Sequence, residues 1–224
     1  MGKASAVLLS YRRIGNLPQI LASVLSVPWV DDAVVWHNGP SLLHERQLGA
    51  AWDAERVTII NCPENKCTYG RYLAAQMCKH RPVIVQDDDV VVRNWDEILA
   101  AWEPESLVAA LRPGHLKQDH RYHWGDAHEV LLGWGAMIDS RLVPEVFAPY
   151  LRKYGQQGLV LYRKADRLFT ILHGRRHVVV EAKFRELPGA NLDGIALYTL
   201  PDHEKLTHEA RRRALGLLGI DYHG

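Results

Sequence analysis

The chain has 224 residues, and its 27 basic and 26 acidic side chains leave a formal net charge of +1, which excludes a uniformly basic scaffold for nucleic acid or a membrane surface and leaves only local patches. Hydrophobic residues at 47% and charged residues at 24% exclude disorder as the main state, and the length suits one domain. Cys62, Cys67 and Cys78 are an odd set without CxxC spacing, which argues against a disulfide scaffold or a structural zinc site.

The apolar run at 6–10 predicts a strand that stops at Tyr11-Arg12-Arg13. Asn16 then offers a cap, and Pro18 a first turn, for a helix over 17–27. Runs at 33–36 and 57–60 predict two further strands, ending in the turn His37-Asn38-Gly39-Pro40 and the loop 61–70. A helical stretch is expected between them around 42–48. A helix through 72–77 and, past Pro82, a strand at 83–85 complete the order βαβαβαβ.

These strands read as unbroken apolar runs, as in a parallel sheet buried on both faces. The expected fold class is therefore α/β: a Rossmann-like, mostly parallel sheet with helices on both faces. Ligands of such sheets sit at the carboxyl ends of strands. Every polar cluster of the first half, at 11–13, 37–39, 61–71 and 87–89, falls at such an end, and one crevice is expected to gather them. The second half predicts strands at 107–111 and 130–132 around a polar loop at 112–128, and helices at 142–154, 166–172 and 204–218. Neither a repeat nor a linker divides the chain, so a single domain over 1–224 with a C-terminal extension from about 184 is expected.

Asp87-Asp88-Asp89 directly follows a buried strand. That much negative charge in one place is costly unless a cation or hydrogen bonds offset it. Mg²⁺ or Mn²⁺ prefers one or two carboxylates together with phosphate oxygens, so the triplet, set between apolar runs at 83–85 and 90–92, points to a metal bound with a nucleotide diphosphate. A solvated acidic turn is the plain alternative.

The segment IVQDDDVVV resembles the DXD segment of GT-A glycosyltransferases, and among these the chain resembles the exostosin-like glycosyltransferase family 64. In order, VVWHNGP resembles that family's VLWNN turn and NKCTYGRYL its Asn and Arg-Phe segment. LLGWGAMI resembles its LTGAAF stretch and RKADRLFTIL its Cys-Glu-Asp-Ile segment, so the likeness runs over 6–172. The resemblance implies a GT-A domain using a UDP-sugar with Mn²⁺ or Mg²⁺, with retention at the anomeric carbon. Carried over, it puts Asp87 near the ribose and Asp89 on the metal, with Asn65 and Arg71 near the base and diphosphate and Asp88 among the donor-binding residues. Asp166 becomes the acidic residue beside the reacting sugar; as a plain feature it would be a helix N-cap. A late histidine completing the metal site is common in GT-A enzymes, and of His203 and His208 the first, on the loop side of a helix start, is the expected ligand.

For the acceptor, the loop at 112–128 interleaves Arg112 and Arg121 with Tyr122 and Trp124, a mixture suited to stacking and charge. Trp134, bracketed by Gly133 and Gly135, offers a flat face to a sugar ring. Arg211-Arg212-Arg213 is a solvated helix face or, for a DNA acceptor, a phosphate contact. The expected acceptor is a saccharide or a hydroxymethylated pyrimidine in phage DNA. Two alternatives stand beside the transferase: a phosphohydrolase of the HAD type, whose D-x-D-x-[TV] pattern fits Asp87 to Val91, and a non-catalytic sugar- or nucleic-acid-binding module. No stretch approaches the ~20 apolar residues of a membrane span, and the apolar run at 5–10 is short for a signal peptide. A cytoplasmic protein of a bacterium or a phage-infected host cell is the expected setting.

Overall fold

A computed structural model of the chain describes residues 2–112, 122–124, 127–175, 177–190 and 195–223. Strands β1 (Ala4–Ser10), β2 (Val30–His37), β3 (Val57–Asn61), β4 (Pro82–Gln86), β6 (Leu107–Leu111), β9 (Ala136–Asp139) and β10 (His177–Glu181) form one sheet. Its order is β10-β6-β9-β4-β1-β2-β3, and only β9 runs antiparallel to its neighbours, β4 and β6. Two small antiparallel pairs join β5 (Val90–Val92) to β11 (Phe184–Glu186) and β7 (Tyr122–Trp124) to β8 (Ala127–Glu129). This is the expected α/β class with a mostly parallel sheet.

Alternation along each strand divides the core between the two faces of the sheet. Val7, Val34, Val83 and Val85 point to one face, where they meet α2 (Tyr69–Ala75), α4 (Leu142–Tyr154), α5 (Leu159–Leu172) and α6 (His203–Leu217). Ala6, Leu8, Val35 and Ile84 point to the other, under α1 (Leu17–Leu25) and α3 (Trp95–Ala101). Helix α1 buries Leu17, Ile20, Leu21 and Val24, a 3–4 spacing that makes one apolar stripe, and has Pro18 in its first turn. Ala210, Ala214 and Leu215 of α6 belong to the same core as β1 and β4, so the segment beyond 184 folds back onto the domain. No helix among the described residues is long and apolar enough to cross a membrane.

Three expectations change. The segment at 42–48 is not a helix but leads into two short 3-10 turns, Glu45–Gln47 and Gly49–Ala51. Its buried anchors, Leu43 and Leu48, are five apart and cannot share one helical stripe. Residues 130–132 are not a strand: the slot between β4 and β6 is filled by β9, and 130–132 form a buried loop leading to Gly133. Helix α5 begins at Leu159 rather than 166, and non-helical backbone at Lys164 (φ −125°, ψ 22°) separates its two parts. Asp166 therefore lies two residues beyond a break instead of capping a free helix end.

Candidate active site

The register aligns Ser10 with His37 and His37 with Asn61, so the carboxyl ends of β1, β2 and β3 finish level. From β1 the chain proceeds to β2 on one side, while β4 pairs with β1 on the other. Such a switch point leaves a crevice above the strand ends. A cleft of ≈ 590 Å³ occupies this place, lined among others by Tyr11, Arg13, Asn38, Asp89, Asp166 and His203.

The three aspartates after β4 have different surroundings. Asp88 is buried: the Tyr11 backbone N–H donates to its Oδ2 at 3.1 Å, Arg13 Nη1 to its Oδ1 at 2.6 Å, and Asn16 Nδ2 to its carbonyl oxygen at 2.9 Å. Its carboxylate thus ties the end of β1 to the end of β4, and burial still raises its proton affinity against the Arg13 charge. Asp87 is 40% exposed and ion-paired with Arg71. Asp89 is 18% exposed, with Arg13 Nη2 at 3.4 Å. Burial first, and then the neighbouring Asp87, push the Asp89 carboxyl up to about 7, with Arg13 opposing. Carboxylates crowded in this way favour a cation.

Arg71 reaches the site from α2 and is only 1% exposed. Besides Asp87 it meets Asp166, with Nη1 to Oδ2 at 3.6 Å, and Tyr72 donates its hydroxyl to Asp166 Oδ1 at 2.9 Å. Burial raises the proton affinity of Asp166, and Arg71 lowers it. One buried guanidinium thereby links the triplet to the carboxylate expected beside the reacting sugar. Gly133 closes the floor: its carbonyl accepts from the Asp87 N–H at 3.1 Å, and a Cβ there would stand 2.2 Å from Asp87 Oδ2. The close backbone approach expected at the 133–135 segment is thus made to Asp87.

Asn65 is exposed on the cleft rim, its Oδ1 accepting from the Cys67 N–H at 2.8 Å. His203 lines the cleft too, but as the first residue of α6 rather than on a loop. Its Nδ1 is 3.0 Å from Lys164 Nζ and 3.1 Å from the Leu197 carbonyl oxygen. His208 bonds Tyr222 instead, at 2.7 Å. Of the residues expected to meet an acceptor, Arg112 and Trp134 both line the cleft. The Arg112 guanidinium lies 4.6 Å from the Trp134 ring centre and 4.9 Å from that of Phe184, and it pairs with Glu186. Arg121 lies outside the described residues, as do the side chains of Tyr122 and Trp124, whose backbone forms β7.

The arginine run is not a free basic face. Arg211 pairs with Glu129 at 2.8 Å, Arg212 with Glu209 at 2.7 Å, and Arg213 with Glu209 at 2.5 Å and with the Tyr150 hydroxyl at 3.0 Å. Residues that sequence reasoning left out of the site are Arg13, the partner of Asp88 and Asp89, and Asn38, whose Oδ1 accepts from Trp36 Nε1 and the Lys66 N–H, both at 3.0 Å. Both stood in strand-end clusters, which was the available signal. At the opposite, amino end of the sheet, Asp31, Asp32 and His80 place potential metal-ligating atoms within 4.8 Å of one another.

No protein-family profile matches the chain, and no curated protein does. Solved structures do. The galactosyltransferase LgtC, solved with donor and acceptor sugar analogues, is 14% identical, with a TM-score of 0.50 over 92% of this chain and 95% of that one. The glucosyl-3-phosphoglycerate synthase of Mycobacterium tuberculosis, solved with Mg²⁺ and uridine diphosphate, gives 13%, 0.56, 100% and 82% in the same order. The fold is GT-A. A 1–349 fragment of S. aureus TarS, solved with UDP-GlcNAc, gives 13%, 0.57, 99% and 68%, and in a longer TarS structure the matched part is 40% of the chain. Identities this low speak for the fold, and the likeness to family 64 within it rests on the motifs alone.

Proposed function

We propose that this GT-A chain is a metal-dependent glycosyltransferase that moves a sugar from a nucleotide-sugar donor, a UDP-sugar, to a hydroxyl acceptor. The observation that carries this is the meeting of Asp87 and Asp89 with the Arg71–Asp166 pair in one cleft at the switch point of the sheet. It is supported by the UDP, UDP-GlcNAc, Mg²⁺ and sugar analogues held by the structures of like fold. Those structures lend no such support to a phosphohydrolase. The paired state of Arg211, Arg212 and Arg213 speaks against a DNA acceptor.

The donor set fits a hard divalent ion: two carboxylates open to the cleft, one of them with its charge under-compensated. Asp89, with Asp87 beside it and His203 from α6, would hold Mn²⁺ or Mg²⁺, which when bound supplies electrostatic stabilisation to the departing diphosphate. The chain's own residues do the rest. Asp88 and Arg13 hold the triplet's backbone against β1. Arg71 and Tyr72 orient Asp166 and favour its ionised form. An ionised Asp166 stabilises, or briefly traps, the positive charge that develops at the anomeric carbon as its bond to the phosphate oxygen breaks, and transfer proceeds with retention. The acceptor oxygen then bonds that carbon and loses its proton, while the nucleoside diphosphate leaves with the electron pair. Asn65 on the rim contributes to the nucleotide site.

The test is a hydrolysis and transfer screen of UDP-, GDP- and TDP-sugars with Mn²⁺, with mass spectrometry of candidate acceptors. Metal-dependent release of UDP and an acceptor gaining one sugar are expected; release of inorganic phosphate from simple phosphoesters, with no donor consumed, would overturn the proposal.

A further inference from the structure

The cations lining the cleft are, with one exception among the described residues, already engaged. Arg13 serves Asp88 and Asp89, Arg71 serves Asp87 and Asp166, Arg112 pairs with Glu186 and Arg167 with Glu129. Lys164 Nζ bonds Thr207 Oγ1 at 2.8 Å and lies 3.0 Å from His203 Nδ1. Arg163 lines the same cleft, is half-buried, and has no carboxylate within ion-pair distance among the described residues. A guanidinium withdrawn from water with no counter-charge is costly. Its nearest electrostatic neighbours deepen the deficit, because they are a thiol and another cation. The Arg163 charge lowers the Lys164 ammonium's proton affinity further below its ordinary value, after burial, and opposes the burial that raises the Cys67 thiol.

Position sets what such a group can reach. Arg163 stands three residues before Asp166 on α5, about one helical turn, and both side chains line the cleft. The adjoining Tyr162 anchors this part of the helix on the loop before α2: its carbonyl accepts from Thr68 Oγ1 at 3.1 Å, and its hydroxyl from Lys66 Nζ at 2.6 Å. Arg163 thus faces the Asn65–Cys67 lip, whereas Arg13 and the open carboxylates lie at the ends of β1 and β4.

We infer that Arg163 forms an anion-binding subsite beside Asp166 and that it takes a phosphate or carboxylate group carried by the acceptor, so that the acceptor is an anionic hydroxyl compound rather than a neutral sugar. The assignment to an acceptor rests on the glycosyl transfer proposed above; the anion site itself does not.

The deciding experiment titrates inorganic phosphate and, separately, acetate into the protein by calorimetry, first alone and then with UDP and Mg²⁺ at saturation, for wild type, Arg163→Gln and Arg163→Lys. Expected is phosphate binding that persists with UDP bound, weakens roughly tenfold or more in Arg163→Gln, and is partly kept in Arg163→Lys, as for a charge-assisted contact. UDP affinity should stay within about twofold in both variants, since the contact lies outside the donor. Phosphate that is excluded by UDP, with Arg163→Gln weakening UDP in parallel, would assign the anion to the donor diphosphate and overturn the acceptor assignment. Phosphate and acetate that fail to bind, or that bind equally to Arg163→Gln, would overturn the subsite altogether. If UDP does not bind while phosphate binding depends on Arg163, the glycosyltransferase proposal fails and the anion site stands. Arg163→Lys guards against a fold defect, because a misfolded Gln variant would lose UDP as well as phosphate while the Lys variant would keep both.

Discussion

The two ends of the parallel sheet each gather carboxylates, and the surroundings of the two clusters differ. At the amino end, Asp31 receives Lys3 and His80, and Asp32 accepts from the Ser5 hydroxyl at 2.6 Å. Hydrogen bonds from Lys3 and then His80 hold the Asp31 carboxyl down to about 2. At the carboxyl end, Asp89 is pushed up to about 7 by burial and by Asp87. Ligand-like spacing is present at the first end, yet its charge is already balanced and open to water. At the second, charge is sequestered and short of a cation, and a ligand has something to gain. Acidic residues in proximity do not make a site; the uncompensated part of their charge does.

The largest effect that could break this contrast is on turnover. Asp89→Asn should lower metal-dependent UDP-sugar turnover by roughly a thousandfold or more with the circular dichroism spectrum unchanged, while Asp31→Asn should leave it at the wild-type rate. An Asp89→Asn enzyme at full activity would end the distinction. Next comes stability, where Arg71→Ala leaves Asp87 and Asp166 without their buried partner and should cost about 3–5 kcal/mol in denaturant melts; Lys3→Ala, removing an exposed partner of Asp31, should hardly move the midpoint. Equal midpoints for the two would mean that Arg71 is dispensable to the fold.

Asp166→Asn should cut kcat by on the order of a hundredfold while donor affinity measured by calorimetry changes little, as for a group acting chiefly in the transition state. A proportional loss of donor affinity would make Asp166 a positioning residue. For the metal, His203→Ala should weaken Mn²⁺ by about tenfold and His208→Ala should not, since only the first lines the cleft. Identical Mn²⁺ titrations for wild type and His203→Ala remove His203 from the site.

The smallest effect is on pH dependence without metal. Because the Asp89 pKa is raised on folding, the folded state binds the extra proton, and stability should fall as pH rises from about 4 to about 7. Asp31 acts in the opposite sense: its depressed pKa contributes stability above about 4 that is lost as pH falls toward 2. Melting curves should show Asp89→Asn flattening the upper window by roughly 3–6 °C and Asp31→Asn affecting only the lower one. Mn²⁺ should restore the loss above pH 7 in wild type alone.

Much of this molecule was legible in one dimension. Apolar runs locate β1 to β4 and β6 because a strand buried on both faces must be hydrophobic throughout, and α4 matches its expected bounds of 142–154. The triplet and the strand-end clusters named the crevice, because a parallel sheet brings carboxyl ends together whatever their separation in the chain. The short strands β10 and β11 and helix α3 escaped that reading, since they are too brief for periodicity to separate them from loops.

Tertiary structure alone decided which of the consecutive aspartates faces ligand. Asp87, Asp88 and Asp89 are chemically identical, and what sets Asp88 apart is Arg13, 75 residues away in the chain. The same holds for Arg71 beneath Asp166, for the carboxylates that meet Arg211 to Arg213, and for the lack of any at Arg163 among the described residues. Residue types and local spacing determine which groups stand at strand ends and how hydrophobic their supports are. Compensation of charge depends on distances of 3–4 Å between segments far apart in the chain, and only the folded packing brings those segments within reach.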